Sequence, residues 1–254
     1  MSTKIEWVTN LDGTKGETWN PITGCTKISE GCKNCYAERM SKRLAGRCGY
    51  PKENPFQVTL HPDKLDQPLK WKKPRMIFVC SMGDILHQDV EPIMFVMVLN
   101  IIKKCPQHTF LMLTKRPGRM IDDHLDNTMI IPYFQKPMPN LWWGVTAENQ
   151  QRADERIPIL LQIPAAKRFV SVEPMLSEVD LTKYLKALDW VICGTESGGK
   201  RRRPAKEEWI RQLRFQCVYN NIPFFLKQME VNGQLVKMPE LDGQIYAEYP
   251  EVSR

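Results

Sequence analysis

Short apolar segments alternate along the chain with longer segments of helical periodicity, and a polar turn separates each pair. The apolar segments are rich in Val, Ile, Phe and Trp, which is typical of buried strands. They predict strands at residues 18–22, 76–80, 109–113, 141–145, 168–172, 190–193 and 223–226. The periodic segments predict helices at residues 35–45, 92–104, 116–126, 149–161, 179–188 and 206–220. This alternation indicates parallel β/α units, arranged as a barrel or as an open doubly wound sheet.

Two stretches lie outside this alternation. Residues 46–73 contain four prolines and no clear period, so we interpret them as an insertion after the first helix. Residues 231–254 are short and polar, which indicates a C-terminal extension. The chain has no internal repeat, and residues 1–254 are predicted to form a single domain with a sizeable core.

Polar side chains follow each predicted strand from the second onward, at residues 81–84, 114–117, 146–149, 173–174, 195–199 and 227–228. Four of these stretches contain an acid, namely Asp84, Glu148, Glu173 and Glu196. The C-terminal ends of barrel strands form the catalytic face of such folds. Buried carboxylates are costly unless they bind something, so the pattern favours a shared ligand pocket over incidental polar turns.

The composition is that of an ordinary soluble globular protein, with 42% hydrophobic and 26% charged residues. No apolar run approaches the roughly 20 residues that span a bilayer. The N-terminal sequence MSTKIEWVTNLDG lacks the apolar core of a signal peptide. We therefore expect a cytoplasmic protein with no membrane partner.

Basic residues exceed acidic ones moderately, which gives a net charge of +7. The densest basic run lies at residues 200–203. Together with Lys115 and Arg116, it is compatible with an anionic partner, such as a nucleic acid, a nucleotide or a phosphorylated metabolite. A solvated basic loop is the ordinary alternative.

Three cysteines lie within eleven residues, in the run GCTKISEGCKNCYAERM: Cys25, Cys32 and Cys35. Thiolates this close do not pair with one another without strain, but they converge readily on one metal ion or cluster. Three ligands leave a coordination position for a small molecule, so the run predicts a metalloenzyme of the iron–sulfur class. Nucleophile motifs such as GxSxG, the P-loop and HExxH do not occur, and the four histidines form no spaced pair.

The cysteine run resembles that of the radical S-adenosylmethionine superfamily. The common spacing there is Cys-x3-Cys-x2-Cys, whereas this chain has Cys-x6-Cys-x2-Cys, after a first predicted strand and before a helix. The chain also resembles a phage- and prophage-associated family of three-cysteine-motif proteins over about residues 18–228. The segments that carry this resemblance are TWNPITGCTKISEGCKNCYAERM, LTKRPGRM, LWWGVTAEN, RIPILLQIPA, RFVSVEPML, DWVICGTESGG and PFFLKQ. Thr195 stands where that family's pattern has glycine.

The resemblance implies an α/β fold: a TIM-like partial (β/α) barrel of about six to seven parallel strands, with the cluster loop after the first strand. It implies that Cys25, Cys32 and Cys35 hold a [4Fe–4S] cluster that binds S-adenosylmethionine, and that the enzyme generates a 5′-deoxyadenosyl radical. The substrate is unassigned. An anionic small molecule or a nucleic acid fits the charge, and an external electron donor of flavodoxin or ferredoxin type is implied.

The resemblance also implies roles for residues near the cofactor. Met82, Gly83 and Asp84 stand where the superfamily's glycine-rich turn meets the cofactor's amino group. The candidates for its ribose and carboxylate are Thr146, Glu148, Ser171 and Glu173. Tyr36 and Trp19 are candidates for packing beside the cluster or the adenine. Apart from the resemblance, Glu196 and Lys115 are the candidate catalytic residues. The glycines around Glu196 allow a ligand to approach closely, and a salt bridge to the nearby arginines is the alternative role of Glu196.

Two alternatives stay open at this point. Cys48 would complete a structural four-cysteine zinc site with the three clustered cysteines, in a nucleic-acid-binding protein whose basic run at residues 200–203 contacts phosphates. A cluster-binding electron carrier or redox sensor without a substrate is the other alternative. The four cysteines that lie singly are interpreted as reduced residues: Cys80, Cys105, Cys193 and Cys217.

Overall fold

The computed structural model of the protein describes residues 3–121, 127–198 and 202–251. Its strands are β1 (Glu17–Trp19), β2 (Ile22–Thr23), β3 (Thr59–Leu60), β4 (Met76–Val79), β5 (Thr109–Thr114), β6 (Leu141–Thr146), β7 (Lys167–Val172), β8 (Trp190–Gly194), β9 (Phe224–Val231), β10 (Gln234–Lys237), β11 (Glu240–Leu241) and β12 (Gln244–Ile245). Its α-helices are α1 (Tyr36–Leu44), α2 (Pro62–Leu65), α3 (Pro92–Lys104), α4 (Asn127–Phe134), α5 (Gln150–Leu160), α6 (Thr182–Leu185) and α7 (Glu207–Tyr219).

Eight strands form one sheet in the order β1-β4-β5-β6-β7-β8-β9-β10. The strands from β1 to β9 pair in parallel, and β10 joins the edge antiparallel to β9. Chain order and spatial order coincide, whereas a doubly wound sheet requires a reversal of strand order. The predicted α/β class with parallel β/α units is therefore confirmed, and the doubly wound arrangement is not the one adopted by the described strands.

The sheet curls into a half-barrel, and its concave side closes around Trp7. The Trp7 ring lies 4.8 Å from that of Phe78 on β4 and 6.0 Å from that of Trp190 on β8. Neighbouring strands lie about 4.8 Å apart, so a flat sheet would separate these two strands by about 19 Å. Contact of both with one ring therefore requires the sheet to curve. The apolar residues of this interior cluster are Trp7, Val8, Met76, Phe78, Leu111, Trp142, Phe169, Trp190, Ile192 and Phe225.

The convex face of the sheet carries a second, larger core against the helices. Ile77 and Val79 of β4 point to this side and belong to one apolar cluster with Phe95 and Leu99 of α3. Because both faces of the central strands are covered, these strands are apolar at successive positions instead of alternating with polar ones. A ligand site can therefore form only at the ends of the strands, where the side chains become polar.

The first predicted strand, residues 18–22, is split into β1 and β2. Pro21 has no N–H group to donate to a ladder. Asn20 accepts a hydrogen bond through Oδ1 from the Met82 N–H at 2.9 Å, which turns the chain out of the sheet. β2 then pairs with β3, so the predicted insertion at residues 46–73 contributes a strand beneath the cysteine run.

Two helix predictions were wrong in extent. The helix predicted at residues 179–188 is only α6. Its N-cap is Leu181, and the Asp180 Oδ1 accepts from the Thr182 N–H at 2.8 Å, a local side-chain turn that competes with an earlier helix start. The helix predicted at residues 116–126 is a 3-10 turn at Pro117–Met120, since Gly118 disfavours an α-helix, and residues 122–126 lie outside the described residues. Helix α4 was not predicted, and the predicted C-terminal extension contributes β10, β11 and β12.

No helix in the described ranges has the length and apolar character needed to cross a membrane.

Replacing Trp7 with Ala should lower the free energy of unfolding by about 3–5 kcal/mol, because it empties the centre of the concave core. Trp7 is 2% exposed, whereas Leu11 in the same N-terminal segment is 69% exposed. Leu11→Ala should therefore change the free energy of unfolding by less than about 0.5 kcal/mol. Urea unfolding of both variants checks the prediction, and equal losses would contradict the assignment of Trp7 to the core.

Candidate metal centre and adjoining cavity

The three clustered cysteines lie in the cysteine loop, residues 24–35, which joins β2 to α1. The loop begins at Gly24, which forms a parallel bridge with Gly83 and donates its N–H to the Met82 carbonyl oxygen at 3.0 Å. Gly24 has a φ of +93°, and a Cβ there would lie 2.0 Å from the Gln57 carbonyl oxygen. Only glycine fits this position. The loop is thereby seated directly on the turn that follows β4.

A first contact holds the loop at Cys25. Arg116, which follows β5, donates to the Cys25 Sγ at 3.4 Å and to the Thr26 Oγ1 at 2.9 Å. Asp84 lies 3.6 Å from the same guanidinium group and accepts from the Thr114 hydroxyl at 2.8 Å. Asp84 is almost fully buried, and this network orients the Arg116 side chain toward the loop.

A second contact holds the loop ahead of Cys32. Glu148, which follows β6, is fully buried and accepts hydrogen bonds from the Ser29 hydroxyl and from the Gly31 N–H, the latter at 3.3 Å. Its other oxygen accepts from Arg156 of α5 at 2.7 Å. Burial alone would raise the pKa of the Glu148 carboxyl, but the charge of Arg156 and the hydrogen bond from Ser29 help to outweigh it and lower that pKa. Glu148 is therefore ionised at neutral pH.

A third contact holds the loop next to Cys35. Glu196, which follows β8, accepts from the Asn34 side-chain amide at 2.8 Å and from the Arg203 guanidinium. Arg203 also donates to the Glu30 carbonyl oxygen at 2.9 Å. Burial opposes ionisation of Glu196, yet the hydrogen bonds from Arg203 and Asn34 outweigh it and lower the pKa of its carboxyl. Three strand-end carboxylates thus secure the loop at successive points.

The three thiols lie close enough to influence one another. Burial raises the pKa of the Cys25 thiol to about 12, Asp84 contributes to the rise, and the thiols of Cys32 and Cys35 add to it. Burial also opposes ionisation of Cys32, but backbone hydrogen bonds and the charge of Lys115 outweigh it and lower the Cys32 pKa. The cysteines therefore occupy one shared electrostatic environment at the strand ends.

The thiols are not gathered around a single point. In the part of the chain that the structure describes, no three Cys, His, Asp or Glu side chains form a group that could hold a metal ion. A cluster makes a different demand, because each of its cysteine ligands binds a separate iron atom. Cys48 is exposed, and its carbonyl oxygen accepts from Lys64 at 3.2 Å. The described residues therefore contain no preformed set of four thiolates of the kind that a structural zinc ion requires.

A cavity of about 420 Å³, here called the inner cavity, opens beside the loop on the concave side of the half-barrel. Trp7, Phe78 and Leu113 give it an apolar wall. The polar side chains that line it include Lys115, Thr146, Ser171, Glu173, Glu196 and Lys227. Lys115 donates through Nζ to Thr146 Oγ1 at 3.3 Å, and Glu173 forms an ion pair with Lys227. The inner cavity therefore offers charges of both signs and hydroxyl groups above an apolar surface.

Tyr36 borders the inner cavity at the start of α1. The residue is 45% exposed, while its hydroxyl donates to the Ser81 carbonyl oxygen. Burial of this end, the Cys35 thiol and the Glu173 carboxylate all raise the Tyr36 pKa above its usual value. The hydroxyl is therefore protonated at neutral pH and acts as a donor.

The predicted site residues divide into two groups. Those that line the inner cavity are Cys35, Tyr36, Lys115, Thr146, Ser171, Glu173 and Glu196. Those not among its lining residues are Cys25, Cys32, Met82, Gly83, Asp84 and Glu148. Of the latter, Gly83, Asp84 and Glu148 hold the loop through the contacts above, and their roles toward a cofactor stay predictions. Trp19 is fully buried in the convex core, with its indole N–H on the Lys64 carbonyl oxygen at 2.8 Å.

The sequence interpretation missed Arg156. It named Arg203 in the basic run and Lys227 at a strand end, but it did not assign their partners Glu196 and Glu173. One signal was available for Arg156. It lies on the face of α5 that also carries the buried residues Ala153, Ile157 and Leu160. A charged side chain on an apolar helix face needs a buried partner, and Glu148 supplies it.

A family described as "Protein of unknown function (DUF5131)" matches residues 2–250. The chain belongs to this family. No curated protein and no solved structure matches the chain. The matched range includes the cysteine loop, the three carboxylates that secure it and the whole lining of the inner cavity, so the candidate site lies entirely within the family's region.

Glu148→Gln should lower the free energy of unfolding by about 3–5 kcal/mol at neutral pH, because it leaves Arg156 buried without a counter-charge. The pKa of Glu148 is lower in the folded protein than in the unfolded chain. The ion pair between Glu148 and Arg156 therefore stabilises the fold fully at pH values above the ordinary carboxyl pKa. This stabilisation is lost as the pH falls through the lowered pKa of the folded protein. The difference between wild type and variant should therefore shrink in acid.

Urea unfolding at a series of pH values measures this difference. Glu155→Gln is the matched control, because Glu155 lies on the same helix with a side chain 46% exposed and an ion pair to Arg152. It should cost less than about 1 kcal/mol. A Glu148→Gln loss as small as that of the control would show that the buried pair does not support the fold.

Proposed function

We propose that this protein is a radical S-adenosylmethionine enzyme whose [4Fe–4S] cluster is held by Cys25, Cys32 and Cys35. The observation that carries the proposal is that a three-thiol loop is secured over the strand ends with Cys35 on the wall of a polar cavity. The α/β half-barrel also supports the proposal that the fold is a TIM-like partial barrel with its site at the C-terminal ends of the strands.

The residues present fit such a cluster. Cysteine thiolates are the usual ligands of iron–sulfur clusters, and three of them leave one iron for an external ligand. Arg116 and Lys115 lie near Cys25 and Cys32, where their positive charges offset those of bound thiolates. In the part of the chain that the structure describes, no fourth cysteine is gathered with these three into a metal-holding group.

When bound, the cluster and S-adenosylmethionine together would supply one-electron cleavage of the sulfonium and a 5′-deoxyadenosyl radical. The protein's own contribution is to bind S-adenosylmethionine, to orient it and to enclose it. Lys115 and Lys227 offer cations to a carboxylate, while Glu173 offers an anion to an ammonium group. Thr146 and Ser171 offer hydroxyls to a ribose, and the apolar wall of Trp7 and Phe78 suits a nucleobase.

The volume of the inner cavity, about 420 Å³, lies in the range of small-molecule sites, which is about 300–1,000 Å³. The lysines in it and the net charge of +7 support an anionic substrate, such as a nucleotide or a nucleic acid, in a phage or prophage context. A cytoplasmic location and an external electron donor remain parts of this proposal. We do not propose the zinc protein, because no observation favours it.

Anaerobic reconstitution should load the protein with about four irons and four sulfides per chain. Cys25→Ala, Cys32→Ala and Cys35→Ala should each abolish the visible absorption of the cluster, whereas Cys48→Ala should leave it unchanged. Iron and sulfide analysis of the four variants checks this. A colourless protein that binds zinc and releases it on Cys48→Ala would instead identify a four-cysteine zinc site.

The reduced, reconstituted protein should convert S-adenosylmethionine to methionine and 5′-deoxyadenosine, which mass spectrometry detects. Glu173→Gln should slow this conversion by tenfold or more, about 1.4 kcal/mol, because the inner cavity loses an anion while the cysteine loop keeps its contacts. Glu178→Gln is the control: it makes the same Glu-to-Gln change at a residue that does not line the inner cavity, and it should leave the rate unchanged. Product formation no higher than that of a triple cysteine variant would reject the proposed reaction.

A further inference from the structure

The rim of the inner cavity leads onto helix α1. Tyr36, the first residue of α1, and Ser197, which follows β8, both line the inner cavity. Arg39 lies next to this rim, because a Cβ at Gly198 would be only 2.9 Å from a guanidinium nitrogen of Arg39. Arg39 is not itself a lining residue of the inner cavity. The exposed side of α1 therefore begins where the inner cavity ends.

One face of α1 carries an aromatic ring, an apolar side chain and two cations. Its residues are spaced by three or four positions, so they share one face of the helix, and all four are exposed: Tyr36, Arg39, Met40 and Arg43. Seven residues of helix span about 10 Å. Arg43 does not line the inner cavity, so a ligand confined to that cavity would not contact it. Only a ligand that continues along α1 can use the whole face.

The acids of this region already have basic partners. Residues 24–44 carry five Lys and Arg against two Glu. Glu30 forms an ion pair with Arg152 at 3.2 Å, and Glu38 forms ion pairs with two lysines at 3.1 and 2.8 Å. Three cations of this stretch form no ion pair with any residue that the structure describes: Lys33, Arg39 and Arg43. The exposed face of α1 is therefore positive and attracts a negatively charged ligand.

This composition matches the groups of a nucleic acid strand. The guanidinium group of arginine presents parallel N–H donors that fit a phosphate. Proteins that bind single strands combine such cations with an aromatic ring on which a base stacks, and Tyr36 is 45% exposed. Enzymes that act on a nucleotide take it out of the base stack, because its atoms are inaccessible inside a duplex. A cavity of about 420 Å³ therefore suits one unstacked nucleotide of a strand.

We propose that the substrate is a nucleotide within a single-stranded nucleic acid. That nucleotide enters the inner cavity, and the adjoining part of the strand lies along the exposed face of α1, with a base on the Tyr36 ring and phosphates at Arg39 and Arg43. This rests on the proposed function and narrows its anionic substrate to a polymer. Arg39 and Arg43 position the strand and take no part in the reaction.

Two double substitutions of equal charge test the basic face. Arg39→Gln/Arg43→Gln removes two exposed cations of α1, and Lys103→Gln/Lys104→Gln removes two exposed cations from the last turn of α3. The lysines precede β5, at the opposite end of the sheet from the cysteine loop. Fluorescence anisotropy measures the affinity of each protein for a labelled single-stranded oligonucleotide over a series of salt concentrations. Thermal unfolding and iron content show whether each variant is intact.

The α1 pair should lower the affinity by about tenfold or more at low salt. Each phosphate contact on a single strand contributes about −0.7 to the slope of log affinity against log salt concentration. Loss of two contacts should therefore make the slope shallower by about 1.4, a change that a merely structural role of the arginines would not produce. The α3 pair should change neither the affinity nor the slope.

A second pair of variants tests the aromatic ring. Tyr36→Leu should weaken oligonucleotide binding by about fivefold or more and leave the salt slope unchanged, because base stacking releases no counterions. Tyr36→Phe keeps the ring and should retain most of the affinity. Equal losses in the two variants would show that the ring does not stack a base.

Equal effects of the α1 and α3 pairs, or no binding of the oligonucleotide, would overturn this inference. So would a mononucleotide, a duplex of the same sequence or polyglutamate that binds as tightly as the single strand, since the face would then recognise a free nucleotide, paired nucleic acid or anions in general. A protein that takes up no iron contradicts the proposed function instead. Oligonucleotide binding by that iron-free protein, and its dependence on Arg39 and Arg43, decides the strand-binding face separately.

Discussion

The buried ion pair between Glu148 and Arg156 is the constraint on which the candidate site depends. Glu148 leaves the end of β6, takes its counter-charge from α5 and accepts the hydrogen bonds that hold the cysteine loop ahead of Cys32. A buried carboxylate is tolerated only with its charge and its oxygen lone pairs satisfied. The sheet, the helix and the loop therefore satisfy one group together, and the loop's position follows from that of the sheet.

The architecture explains why a cavity forms where it does. The half-barrel is filled by aromatic residues around Trp7, and this packing stops where the strands reach Thr146, Ser171 and Glu173. Beyond that level the side chains are polar and cannot pack as a core. The cysteine loop covers the resulting space without filling it. Curvature of the sheet thus creates an enclosed polar volume beside three thiols, which a flat sheet would not provide.

Much of the fold could be predicted from the sequence because its strands are buried on both faces and read as apolar runs. The cysteine loop was also visible, since three thiols in eleven residues are rare outside ligand sites. The failures have local causes. Asn20 and Pro21 divide a strand through one side-chain hydrogen bond and one missing N–H. The Asp180 side chain accepts from the Thr182 N–H in a local turn, and the helix begins only after that turn.

The division of labour among the four strand-end acids could not be predicted, because it depends on partners distant in sequence. Asp84, Glu148 and Glu196 all follow strands. Glu148 and Glu196 accept directly from residues of the cysteine loop, and Asp84 acts through Arg116, which donates to the loop. Glu173, with the same position relative to its strand, faces the inner cavity and Lys227 instead. Only the three-dimensional arrangement separates the carboxylates that position the loop from the one directed at a ligand.

The central claim is that three cysteines hold a cluster with one iron open to a ligand at the inner cavity. Electron paramagnetic resonance of the reduced, reconstituted protein, recorded with and without S-adenosylmethionine labelled at its amino nitrogen, tests it most directly. The account predicts a [4Fe–4S] signal that changes on addition of the cofactor and shows hyperfine coupling to the label. A signal that is unaffected by the cofactor, or that requires Cys48 as a fourth ligand, would contradict it.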